Sequence, residues 1–327
     1  MRPAAFVASS AFLIALSIAS VFIGSGHFSA TEVWGSLLGS DAVPDVTSVI
    51  VRDYRVPRTL MALLVGMALG VAGVLMQTTA RNPLADPGLL GVNAGAYLAV
   101  VLAALVTGAT LKAGLIVAAL VGAGVATIVV HIIGARGLGA GTPAKLVLTG
   151  VAVTAVATGI ASAISLMHAD IFDKVRYWRS GSLQGVTWDA LRVALPFILV
   201  GLATGLVLTS HLNALLLGDD SARGLGVSVH KVRLLSAVST TLLAGAATAV
   251  AGPISFVGLM VPHAARTVVG PDLRWLLPAA LIVGPALVLS ADIVGRLLLP
   301  GELPMGVVTA FVGAPVLVYL VRRRLRT

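Results

Sequence analysis

Asp292 and Arg296 stand four residues apart in an otherwise apolar run. A helix places this carboxylate and guanidinium one turn apart on the same face, where they form a local pair near the membrane surface. Intramembrane carboxylates are otherwise nearly absent, whereas carriers coupled to protons or sodium normally need more buried ionisable groups. Six histidines, His27, His131, His168, His211, His230 and His263, are scattered without the spacing of metal ligands. The chain has no cysteine, which excludes disulfides, thiolate catalysis and Cys-ligated metals. It carries no Gly-x-x-x-x-Gly-Lys-Ser/Thr phosphate loop and no His-Glu-x-x-His helix, so it does not hydrolyse ATP by that route. With no paired acids and no nucleophile–base set, an intramembrane enzyme is disfavoured, and neither a metal nor a cofactor is expected.

The remaining chemistry is that of glycine, proline and edge charges. Arg81-Asn82-Pro83-Leu84-Ala85-Asp86-Pro87-Gly88-Leu89-Leu90-Gly91 separates two apolar segments. Its two prolines remove two backbone donors, and Asn82 and Asp86 favour turns. Such irregular backbone is tolerated only at the membrane surface or packed inside protein. Gly252-Pro253-Ile254-Ser255-Phe256-Val257-Gly258-Leu259 reads as a sharp turn re-entering the membrane. Glu302-Leu303-Pro304-Met305-Gly306-Val307-Val308-Thr309 opens a last helix with Pro304 in its first turn, where the missing donor costs nothing. Gly306, Gly313 and Pro315 there imply close packing and a bend. The stretch 215–229 mixes leucines with Asp219, Asp220 and Arg223 and reads as short surface helices broken at Gly218 and Gly224-Leu225-Gly226.

These features sit in a chain that is 58% hydrophobic and only 11% charged, with a mean hydropathy of +1.02, which excludes an ordinary soluble domain. Apolar runs of membrane-crossing length recur along it, at roughly 4–24, 58–80, 88–107, 113–133, 145–167, 190–210, 231–251, 253–269, 275–297 and 303–321. The first run is too long for the apolar core of a signal peptide and reads as an uncleaved helix. Abundant glycine and alanine point to a packed polytopic bundle. With ten spans and both ends inside, 13 of the 22 Lys and Arg but only four of the 13 acids fall inside, so the net +9 resides there. The positive-inside rule supports that topology, notably through Arg322-Arg323-Arg324, and the basic balance needs no nucleic-acid partner. Outside, residues 25–57 carry Ser29-Ala30-Thr31-Glu32-Val33-Trp34, with Thr31 the expected N-cap of a surface helix.

In combination these strings resemble the FecCD family, the permease subunits of importers for ferric siderophores, haem and vitamin B12. The resemblance runs from about residue 50 to the C-terminus. It rests on Arg55-Val56-Pro57-Arg58-Thr59-Leu60; on Gln77 followed by Asn82, Pro83, Leu84, Asp86 and Pro87; on Gly252 to Gly258 with Pro262, His263 and Arg266; on Asp292 with Arg296; and on Glu302, Pro304, Gly306 and Thr309 with Gly313 and Pro315. Around the fifth span, where substrate contacts are expected, family signature is sparse. The resemblance implies an all-α, type II ABC-importer permease of about ten transmembrane helices, one domain over 1–327, with a cytoplasmic coupling region at about 212–230. It implies a partner permease that is a second copy or a paralogue, two cytoplasmic ATPase subunits, an extracytoplasmic solute-binding protein, and the inner membrane with both termini cytoplasmic. By position, Leu217, Gly218, Asp219, Ala222, Arg223, Leu225 and Gly226 would seat on the ATPase, and Arg55, Arg58 and Arg296 would face the binding protein. An iron–siderophore chelate is the leading cargo; vitamin B12 and haem remain open, and a stand-alone secondary carrier is the runner-up of another class.

Overall fold

The computed structural model describes residues 2–24, 26, 28–40, 43–108, 112–136, 142–299 and 301–324; His27 lies outside them. The described residues form helices and no strand. Seven helical segments are long and apolar enough to cross a membrane, and three shorter apolar helices join them, so each of the ten anticipated spans has a helix. They are α1 (Arg2–Phe22), α4 (Val56–Thr79), α5 (Val92–Thr107), α6 (Lys112–Gly134), α7 (Pro143–Met167), α9 (Trp188–Val207), α12 (Val229–Ala251), α13 (Val257–Val269), α14 (Leu273–Leu298) and α15 (Met305–Arg324). Short helices fill the connections: α2 (Ala30–Leu38) and α3 (Asp45–Val49) before a π-helical turn at Ile50–Arg55, then α8 (Ala169–Arg179), α10 (Thr209–Leu216) and α11 (Asp219–Gly224).

Helix α2 is capped by Ser29 and not by Thr31. The Ser29 hydroxyl accepts from the Glu32 amide at 3.3 Å, and Glu32 returns a bond to the Ser29 amide at 2.7 Å. This is a reciprocal capping box, and the spacing of Ser29 to Glu32 selects it. The Ser29 hydroxyl and amide hold the Glu32 carboxyl below its usual range.

Helix α4 is the axle of the bundle and packs against α14, α12, α13 and α9. Glycine makes this possible. A Cβ on Gly66 would lie 2.4 Å from Pro285 Cα, one on Gly284 2.2 Å from the Gly66 carbonyl, and one on Gly73 1.9 Å from the Gly258 carbonyl. Backbone touches backbone at these crossings, the means by which transmembrane helices gain dispersion contact without a hydrophobic driving force.

Two spans start late. Helix α5 begins at Val92 and α13 at Val257, several residues inside the apolar runs that contain them. Residues 87–90 form a 3-10 turn ended by Gly91 at φ 76°. That turn lies against the interiors of α6 and α7. A Cβ on Gly150 would strike the Leu89 carbonyl at 1.8 Å, and Gly91 faces Ala126, Val130 and Val153. Residues 252–256 are likewise extended between Gly252 at φ 74° and Phe256 at φ 70°. The two irregular segments meet where Pro87 and Asp86 pack on Gly258. The 82–91 string is thus a loop folded into the protein, the place where non-helical backbone survives among transmembrane helices. Pro304 sits just ahead of the last helix, its carbonyl accepting from Val307 at 3.0 Å.

Gly73→Val drives two methyls into the α13 backbone and is expected to abolish monodisperse protein in detergent. Gly124→Ala on α6, with nothing within 4 Å of its added Cβ, is expected to leave the yield unchanged. Size-exclusion chromatography of the two variants checks this, and comparable yields would contradict the close-packed crossing.

Candidate functional site

Three polar constellations interrupt the apolar bundle. The first lies where the end of α1, the start of α4 and the end of α14 come together. Arg58 reaches Asp292 through Nε and Nη2, the closest contact being 2.8 Å, and Glu302 through Nη1, also 2.8 Å. Arg296 pairs with the same Asp292 from one turn away. Its Nη1 donates to the carbonyls of Ser20 at 2.7 Å and Ile23 at 2.8 Å. Arg55 donates to the carbonyls of Val21 at 3.1 Å and Phe22 at 3.0 Å. The last carbonyls of a helix have no partner within it and carry the negative end of its dipole. Two arginines from other helices therefore cap α1 and fasten the first span to the bundle. Glu302 adopts φ 53°, a left-handed conformation that costs a non-glycine residue energy, and it does so while holding Arg58.

The three arginines named for the binding-protein face are mostly buried. Relative exposure is 5% for Arg55, and the side chains of Arg58 and Arg296 are 13% and 2% exposed. Three arginines against two carboxylates leave one excess positive charge, held inside the chain rather than presented on arms. Asp292 serves Arg58 as well as Arg296, a link of 234 residues that helical spacing alone cannot reveal.

The second constellation is centred on Gln77. Pro262 lies inside α13 and lacks the amide that would bond the Gly258 carbonyl four residues back. The buried Gln77 amide faces that carbonyl and the Leu259 carbonyl, each at 3.4 Å, and its oxygen accepts from Arg266 at 2.7 Å. The motif residues Gln77, Gly258, Pro262 and Arg266 are thus one repair of a broken helix. His263 follows on α13 and is half-buried. Asn82 accepts from the Leu84 amide at 3.0 Å and Asp86 from the Gly88 amide at 2.8 Å, so both shape the loop beside it. Beyond the C-terminal end of α12, the Gly306 amide donates to the Gly181 carbonyl at 2.8 Å, the buried Thr309 hydroxyl to the Gly306 carbonyl at 3.0 Å, and a Cβ on Gly252 would meet the Trp178 carbonyl at 2.0 Å.

The third constellation joins α10 and α11 to the bundle. Gly218 at φ 110° breaks the chain between them and Gly226 at φ 79° ends the region, while Gly224 stays helical. Ala222 is fully buried, whereas Leu217 and Leu225 are 67% and 64% exposed. Asp219 accepts from Arg81 at 2.5 Å and from Arg233 at 3.0 Å, and Arg81 also donates to the Leu215 carbonyl at 2.9 Å. Arg81 sits at φ 48°, a left-handed non-glycine residue. Asp219 is therefore a clamp between the end of α4, the start of α12 and the break in the surface helices. Arg223 pairs only locally, with Asp220 at 2.8 Å on the same short helix, both side chains well exposed. Sequence reasoning placed Asp219 in this region but missed Arg81 and Arg233 as its partners; no local pattern signals contacts 138 residues apart.

A ten-span helical bundle with broken helices at its centre, an internal charge knot at one end and exposed leucines on short helices at the other has the architecture of a type II importer permease. The sequence profile of the FecCD transport family matches residues 12–323, and the chain belongs to that family of transport permeases. It is 48% identical to the ferric enterobactin transport system permease protein FepD of Escherichia coli (strain K12), over 96% of this chain and 93% of that protein. It is 36% identical to the hemin transport system permease protein HmuU of Yersinia pestis, over 95% and 93%. A solved structure described as an inward-facing conformation of a metal-chelate type ABC transporter superposes with a TM-score of 0.85 at 27% identity, covering 98% of this chain and 99% of that one.

Asp292→Asn leaves Arg58 and Arg296 facing each other with their shared counter-charge gone. Breaking a buried pair costs about 3–5 kcal/mol, so thermal unfolding in detergent is expected at markedly lower temperature. The double variant Arg58→Met/Glu302→Gln removes one charge of each sign, leaves the Asp292–Arg296 pair intact, and is expected to lose less than half as much. Equal losses in differential scanning fluorimetry would show that Asp292 is not the hub.

Proposed function

We propose that this chain is the membrane-spanning permease subunit of an ABC importer for iron–siderophore chelates. It pairs with a second copy or a paralogue, two cytoplasmic ATPase subunits drive it, and an extracytoplasmic binding protein feeds it, in an inner membrane with both termini cytoplasmic. The observation that carries the reading is the 48% identity, over almost the full length of both chains, to a permease named for ferric enterobactin. Relatives named for hemin and for cobalamin import stand at 36% and 38% identity, so those chelates are the second reading.

In this reading the partner ATPase meets α10 and α11. Leu217 and Leu225 are the apolar contacts, and burying a leucine side chain contributes about 1.5–3 kcal/mol. ATP-driven movement of that surface reaches the bundle through Asp219, which pulls on Arg81 at the end of α4 and on Arg233 at the start of α12. The left-handed turn at Arg81 is a strained joint that such a pull can reset, and the loop 82–91 follows directly from it. The binding protein meets the outer face above the Arg58–Asp292–Glu302 knot. There Arg55, Arg58 and Arg296 act by fixing the ends of α1, α4 and α14 and by their single excess positive charge.

Uptake of radiolabelled iron from a siderophore panel, in a deletion strain and its complement, tests the cargo; uptake of haem or cobalamin with no siderophore-dependent iron uptake would replace the first reading by the second. Leu217→Asp/Leu225→Asp is expected to insert normally but to lose co-purification of the ATPase, with uptake falling to background. Asp219→Asn is expected to retain the ATPase and its ATP hydrolysis while uptake drops about tenfold or more, in line with loss of charge-assisted hydrogen bonds worth roughly 1.5–3 kcal/mol. Normal transport per ATP in Asp219→Asn would remove the clamp from the coupling route.

A further inference from the structure

In the orientation proposed above, the inner ends of α4, α6, α7 and α12 border a cavity of about 660 Å³ that opens beside the Asp219 clamp and shares Arg233 with it. This falls in the range of roughly 300–1,000 Å³ that holds a drug-sized ligand. Its walls are apolar, among them Leu90, Leu146 and Leu234, its rim carries the guanidinium groups of Arg223 and Arg233 beside His131 and His230, and no acidic residue lines it. Arg223 and Arg233 each hold an aspartate outside the lining, Asp220 and Asp219, and Asp219 also holds Arg81. Three guanidinium groups thus face two carboxylates, and one positive charge is left over. A guanidinium carries five N–H donors, so an arginine paired to one carboxylate keeps donors for a second anion.

The surroundings of the cavity select among anions. Leu234 lines it and is 52% exposed, and Ile132 and Ile133 on α6 and Val238 on α12 are about half exposed. The cavity therefore adjoins helix faces of the kind that lie against acyl chains, with the cations where these helices begin or end. A small soluble anion would leave the apolar walls unfilled, and a neutral amphiphile would leave the spare guanidinium donors and the one excess positive charge unused. Basic pockets between transmembrane helices on the cytoplasmic side suit anionic lipid headgroups. The geometry points to a binding site for an anionic phospholipid, its head on Arg223 and Arg233 and one acyl chain among Leu90, Leu146 and Leu234. Assignment to the inner leaflet follows the orientation proposed above; the chemistry of the cavity is independent of it and of the cargo.

Native mass spectrometry of the full-length chain tests this, after delipidation in a neutral detergent and titration with phosphatidylglycerol or with phosphatidylcholine of the same acyl chains. One phosphatidylglycerol per chain is the expected occupancy, with phosphatidylcholine clearly weaker. Arg223→Gln and Arg233→Gln are expected to weaken phosphatidylglycerol about fivefold each, the scale of one basic residue at an anionic headgroup. Ala237→Phe places a ring in the cavity and is expected to abolish retention; should it not stay monodisperse, the arginine variants carry the test. Equal affinity for the two headgroups, wild-type retention in the Arg223→Gln/Arg233→Gln variant or in folded Ala237→Phe, or displacement of the lipid by an equal concentration of inorganic phosphate would each overturn the assignment.

Discussion

Inside a bilayer no water is available to an unpaired backbone carbonyl or amide, so every break in a helix must be answered by another part of the protein. This constraint organises the fold. Pro262 deprives the Gly258 carbonyl of its helical donor, and Gln77 from α4 is placed against it, itself held by Arg266. Helix α1 ends with open carbonyls, and Arg55 and Arg296 fill them from α4's approach and from α14. The last carbonyl of α12, at Ala251, accepts from the Ser182 amide at 2.8 Å, and the Gly181 carbonyl in turn accepts from the Gly306 amide. Each repair joins elements far apart in sequence, so the polar groups that make irregular backbone tolerable also determine which helices are neighbours.

The same logic explains why glycine clusters on the faces of α4, α13 and α14. A loop or half-helix can be repaired only if its backbone comes within hydrogen-bond range of another helix, and a Cβ at Gly73 or Gly66 would hold the partner away. Among the described residues, the left-handed non-glycine residues are Arg81, Phe256 and Glu302, which lie beside the end of α4 and the starts of α13 and α15. Strain of this kind persists only where the surroundings over-determine it. At Arg81 and Glu302 an ion pair does so; at Phe256 the ring packs so close to α15 that Gly313 has no room for a side chain.

Charge is used differently at the two ends. At the α1, α4 and α14 end Asp292 is buried and shared by two arginines, an arrangement that fixes helix positions because removal of the shared carboxylate leaves two buried guanidinium groups facing each other. At the opposite end Asp219 is a quarter exposed and its partners are more so, which makes that clamp weaker. Leu217 and Leu225 lie exposed beside it.

The sequence by itself determined the number and order of the spans, the irregular stretches around Pro87 and Pro253, the breaks at Gly218 and Gly226, and the family, although it opened the third and eighth spans at 88 and 253, ahead of the observed starts at Val92 and Val257. These follow from hydropathy, from the missing proline donor and from glycine's access to positive φ, all of which act within a few residues. It also placed Arg296 one turn from Asp292, because helical periodicity is local. The Ser29 cap of α2 is equally local, fixed by the three-residue spacing to Glu32. Only the tertiary structure decided that Arg58 and Glu302 join the Asp292–Arg296 pair, that Gln77 answers Pro262, and that Asp219 is held by Arg81 and Arg233. These contacts depend on how twisted helices cross, and nothing in a residue's neighbours along the chain encodes that crossing.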